Sequence, residues 1–183
     1  LTAHFAYSKD ADSGNTNDKA ASGATNELGS GWDLTLEAGS DLTGMEGLTL
    51  YAGMSEYEQF VNATTHNGDG SEKVYGIKYA AGGFTVGYQI SDEETGETAT
   101  TAYENTYYSV TFNVNDDLSI GYNHVESDES GNSKETAEAT SYQASYTMGG
   151  ATFSIAEVDI KNRNYSSAAK YDVDGHVISL GLA

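Results

Sequence analysis

Apolar residues in this chain recur at every second position, in bursts of about eight residues, and hardly anywhere at the three- and four-residue spacing of a helix. Phe84, Val86, Tyr88 and Ile90 alternate with Thr85, Gly87 and Gln89. Tyr108, Val110, Phe112 and Val114 alternate with Ser109, Thr111 and Asn113. The same alternation runs through Leu1–Tyr7, Trp32–Ala38, Leu48–Met54, Tyr75–Tyr79, Leu118–Tyr122, Tyr142–Met148, Ala151–Ile155 and Ile178–Leu182. A strand with this period carries one apolar and one polar face, so the pattern predicts an all-β domain of roughly ten strands across residues 1–183.

The connections sort into two kinds. Long, polar, acidic ones follow the odd strands: Lys9–Ser30, Glu58–Ser71, Asp92–Glu104, Glu126–Glu138 and Asp159–Tyr171. Short ones follow the even strands: Asp41–Gly47, Ala81–Gly83, Asn115–Asp117 and Gly149–Gly150. Long loops at one end and tight turns at the other are expected of an antiparallel up-and-down transmembrane β-barrel. A soluble sandwich has no reason to sort its loops this way.

With the short turns at the periplasmic end, the apolar-face aromatics form two bands. Tyr7, Trp32, Tyr75, Tyr88, Tyr108 and Tyr142 lie toward the long loops, and Tyr79, Phe84, Phe112, Tyr146 and Phe153 toward the short turns. Aliphatic residues fill the middle. Amphipathic rings favour the membrane–water boundary, and barrels carry two such girdles. The opposite face is mostly Ser, Thr, Gly, Asn and Gln. The rival arrangement is a soluble acidic β-protein whose rings pack in a core.

Composition narrows the function. Twenty-eight Asp and Glu face 8 Lys and Arg, a net charge of −20, which argues against nucleic acid as a partner. There is no Cys, hence no disulfide, thiolate metal site or Cys nucleophile. No apolar run is long enough for a membrane helix, but a barrel needs only one apolar face, which the 38% hydrophobic content can supply. His4, His66, His124 and His176 lie on separate segments without ligand spacing, and no Gly-x-Ser-x-Gly motif is present. The chain is therefore read as no enzyme, with no resident cofactor. Calcium or magnesium held loosely at acidic loops is the one ligand in view, and Asn67-Gly-Asp69-Gly70 is only a fragment of a calcium motif.

The tyrosine hairpins Tyr75–Tyr79 with Gly82-Gly83-Phe84, and Tyr142–Tyr146 with Gly149-Gly150 and Phe153, resemble Gram-negative outer-membrane porins of the alphaproteobacterial general-diffusion type. So do the segment Asn115–Tyr122 and the ending His176–Ala183, although the ending lacks the final Phe common in such barrels. The resemblance implies a bacterial outer-membrane location among lipid and lipopolysaccharide, a sixteen-stranded barrel and a homotrimer. Two readings stay open. The chain is a complete ten-stranded barrel, or it is the C-terminal part of a larger one, since residue 1 already lies within a strand and no initiator Met or leader is seen. Small polar-face residues such as Gly53, Gly76, Gly87, Ser109 and Gly121 favour the second, because they would not fill a narrow barrel. A loop folded inward to narrow the pore would then precede residue 1.

The function expected is a water-filled channel for passive diffusion of small hydrophilic solutes and ions, with cations preferred. Candidate pore-lining residues on the polar face are Asp33, Glu37, Lys78, Gln89, Asn113 and Gln143. Candidate residues of an acidic vestibule, expected on long loops, are Asp92, Glu93, Glu94, Glu97, Asp128 and Glu129. Solvated surface charge and local ion pairing are the plainer explanations of both sets. The alternative function is a structural or adhesive surface barrel whose acidic loops bind partners or divalent ions.

Overall fold

A computed structural model describes residues 1–9, 27–62, 65–95, 102–131 and 134–182. The strands are β1 (Thr2–Ser8), β2 (Glu27–Ala38), β3 (Leu48–Asn62), β4 (Thr65–Ala81), β5 (Phe84–Glu94), β6 (Ala102–Asn113), β7 (Leu118–Glu129), β8 (Ala137–Met148), β9 (Ala151–Lys161) and β10 (Val173–Leu182). One turn of helix, α1 (Ser40–Thr43), and a 3-10 turn at Ala169–Tyr171 interrupt the connections. All ten strands form one antiparallel sheet in chain order, and β1 and β10 are its two edges.

The tight turns follow from glycine. Gly82 and Gly83 have φ of 56° and 86°, and Gly149 and Gly150 have 57° and 83°. Two consecutive positive φ values make a type I′ turn, whose twist matches that of the flanking strands. The β6–β7 turn is built differently: the Asn115 side-chain oxygen accepts from the backbone N–H of Asp117 and Leu118 at 2.9 and 2.8 Å. Between β2 and β3, α1 ends at Gly44 with φ 70°, and the Ala80 N–H donates to the Gly47 carbonyl at 3.0 Å.

The strands outrun the alternation at the other end. β3 and β4 are 15 and 17 residues long, and Asn62 pairs with Thr65. The stretch Glu58–Ser71, expected as a loop, is instead mostly a hairpin that continues these strands. Pairing also carries β5 and β6 out to Glu94 and Ala102, and β7 out to Glu129.

No hydrophobic side chain is buried among the described residues. Exposure runs opposite to that of a packed sheet: on β5, Phe84, Val86 and Tyr88 are 52%, 42% and 44% exposed, whereas Thr85, Gly87 and Gln89 between them are half-buried. On this strand the polar side chains are thus the more enclosed ones and the apolar ones the more exposed.

The register shows that the apolar band crosses the strands obliquely. Pairing carries the row of Trp32 through Glu56 and Ser71 to Glu94 and Ala102, so the ring pair Tyr88–Tyr108 stands six residues lower on β5 and β6. Tyr122 and Tyr142 pair two residues lower again. Between β2 and β8 the upper rim therefore steps by eight residues over six strands. The lower rim steps in the same sense, from Tyr79 to the stacked pair Phe84–Phe112 and then to Tyr146–Phe153. With about 3.3 Å per residue and about 4.8 Å between strands, the band is inclined by about 30–45°.

Candidate functional site

The polar face carries the functional candidates, because strand parity sends every second side chain there. Asp33, Glu37, Lys78, Gln89, Asn113 and Gln143 all share that face by register. They are not gathered in one place. Lys78 and Gln89 line a hollow of about 370 Å³, and Asp33 and Gln89 a neighbouring one of about 430 Å³. Gln143 lines a third of about 380 Å³, and Asn113 stands at the tight-turn end. Neither Asp33 nor Glu37 has an ion-pair partner among the described residues.

One row brings carboxylates together. Asp33 is opposite Ser55, then Glu72, Glu93, Tyr103 and Glu129 on successive strands from β2 to β7. All six side chains point to the polar face. The adjacent outward positions on β4 to β7 are Lys73, Asp92, Glu104 and Asp128, so from β4 onward the row lies above the apolar band, whereas on β2 Asp33 stands between Trp32 and Leu34 at the band's edge. Burial and the charge of Glu72 push the Glu93 carboxyl up from its ordinary range. Burial, with Glu72 and Glu93, pushes up the Tyr57 phenol. Lys134 offsets part of this charge through a 2.8 Å ion pair with Glu129.

The vestibule candidates need correction in place. Asp92, Glu93 and Glu94 belong to β5, and Asp128 and Glu129 to β7; none of the five is on a loop. Parity sends Glu93 and Glu129 to the polar face and Asp92, Glu94 and Asp128 outward. Glu97 lies outside the described residues.

The connection between β9 and β10 leans over the polar face. Tyr165, with φ 53°, holds a backbone conformation uncommon for an aromatic residue. Its hydroxyl is 2.9 Å from the Ser127 hydroxyl on β7, and its ring is 5.6 Å from that of Tyr103 on β6. The Glu135 N–H donates to its carbonyl, and the Asn162 amide donates to the Thr136 carbonyl. No local pattern in the sequence announces these contacts, which reach two and three strands away from β9.

Two further tyrosine groups were missed. On the polar face, Tyr51 is paired with Gly76 and its ring lies across that glycine; its hydroxyl donates to Gln89 Oε1 at 2.9 Å. On the apolar face, Tyr122 lies between Tyr108 and Tyr142, with ring centroids 6.3 and 5.2 Å away. His124, the one buried polar side chain among the described residues, stacks on Tyr108 and meets the Thr140 hydroxyl at 2.8 Å. The parity signal for all of them was legible. Among the described residues no three His, Asp or Glu stand close enough to hold a metal ion. No family model matches the chain, and no curated protein is significantly similar to it.

Proposed function

We propose that this chain forms the wall of a bacterial outer-membrane β-barrel, a water-filled channel through which small hydrophilic solutes and ions diffuse passively. The observation that carries the reading is the oblique apolar band. Its residues are exposed, aromatic rings edge it on both sides, and its inclination is close to the tilt of strands in membrane barrels. A band of this kind meets lipid when the strands cross a bilayer at that tilt. In lipid an open sheet edge has unpaired backbone groups, so β1 and β10 join each other or further strands to close the wall. A homotrimer, as in the porins the sequence resembles, belongs to the same proposal.

The polar face then lines water, and the row Asp33, Glu72, Glu93 and Glu129 climbs from the upper edge of the band at Asp33 to well above it at Glu129, lining the approach to the mouth. Carboxylates on a pore wall concentrate cations and repel anions, and the same row is where divalent cations would linger. Function needs no bond chemistry in this reading. The test is conductance in planar lipid bilayers with a salt gradient. Stepwise single-channel currents with a cation-selective reversal potential are expected, and replacing Asp33→Asn together with Glu37→Gln moves that potential toward zero. Anion preference in the unaltered protein overturns the charge argument, and absence of current overturns the channel and favours a surface adhesin.

A further inference from the structure

We infer that the polar face holds a binding strip for a neutral sugar, centred on the ring of Tyr51; this rests on the channel reading and names a solute class for it. Tyr51, Gly76, Gln89 and Tyr107 occupy one register row on β3 to β6. Gly76 has no side chain, and a Cβ there would collide with the Tyr51 ring. The ring therefore lies down across β4 instead of standing off the wall, and its hydroxyl is tied to Gln89 Oε1 at 2.9 Å. The half-buried ring covers Gly76 and, with Lys78, Ser109, Tyr107 and Asn123, lines the hollow of about 370 Å³.

The chemistry fits a pyranose. The C–H face of a sugar ring packs on an exposed aromatic face, and its hydroxyls need donors and acceptors around the rim. Gln89 accepts from Tyr51 with its oxygen, which leaves its amide N–H groups to donate. Asn123 and Ser109 add both kinds of group, and Lys78 adds donors. Tyr107 puts a second ring on the same row, two strands from the Gly76 that the Tyr51 ring covers, about 10 Å along the row between backbones, a span suited to two linked sugar units. Carboxylates at Asp33 and Glu37 on the same face disfavour an anionic ligand.

The test adds maltose or maltotriose, at up to about 10 mM, to single channels in planar bilayers, with isothermal titration of the detergent-solubilised chain in parallel. Sugar is expected to interrupt the current reversibly and to bind in the titration. Tyr51→Ala and Gln89→Ala should each weaken the block at least tenfold, whereas Tyr51→Phe, which keeps the ring, should weaken it less than Tyr51→Ala. Gly76→Val, which lifts the ring and frees Gln89 from its hydroxyl, should weaken it although every polar side chain is retained. A channel that conducts but is never blocked, or whose block is indifferent to Tyr51→Ala, overturns the sugar strip and leaves the channel standing. Sugar binding in the titration without any conductance would keep the strip and overturn the channel.

Discussion

At the scale of single residues, the polar face places like charges side by side. Glu93 is opposite Tyr103 on one flank and Glu72 on the other, and half-burial together with the Glu72 charge raises its proton affinity. A carboxyl whose folded-state pKa is raised contributes most below its unfolded pKa, and that contribution is lost as pH rises through the raised value. Glu93→Gln is therefore expected to unfold at a higher temperature than the unaltered chain at pH 7, and at the same temperature near pH 4. Thermal melts by circular dichroism in detergent at both values check this. A variant less stable than the parent at pH 7 would show that Glu93 is held by a partner and not strained by its neighbours.

At the scale of elements, glycine turns separate backbone strain from collision. A Cβ at Gly149, where φ is 57°, meets nothing within 4 Å, so Gly149→Ala costs only the left-handed backbone penalty, about 1–2 kcal/mol. Gly149→Asn should cost less, because Asn enters that conformation readily. Gly47→Ala should exceed both, since φ there is 79° and the new Cβ would press into the Ala80 carbonyl. Denaturant titrations in detergent, read by gel mobility of the folded form, should show the smallest loss for Gly149→Asn, a larger one for Gly149→Ala and the largest for Gly47→Ala. These turns were legible in the sequence, as was every strand, because alternation and paired glycines are local signals. The strand ends were not. Beyond the apolar band both faces become polar, as in Asp92-Glu93-Glu94 of β5, and the period of two disappears while backbone pairing continues. The site was legible in part: parity alone assigned Asp33, Lys78 and Gln89 to one face. The alignment of Asp33 with Glu72, Glu93 and Glu129 was not, since it depends on the register of five successive pairings.

At the scale of the whole molecule, the question is what covers the apolar face. A ten-stranded sheet that buries no hydrophobic side chain among its described residues has no interior of its own to stabilise it. Its apolar surface must gain its free energy from a surrounding medium, and the oblique band says which part of each strand that medium touches. Val110 stands between Tyr108 and Phe112 on β6, midway between the two aromatic rims, and is 42% exposed. In a bilayer a lysine there would sit near the midplane and cost about 2–4 kcal/mol. On a water-exposed sheet the same change would fall within about 0.5 kcal/mol. Asp92 faces outward above the band, where Asp92→Lys should be near-neutral in either setting. Equilibrium unfolding of both variants in lipid vesicles, set against the unaltered chain, distinguishes the two media directly. A large loss for Val110→Lys with little change for Asp92→Lys places the bilayer on the band; equal, small effects would mean that water covers it and that the chain works outside the membrane.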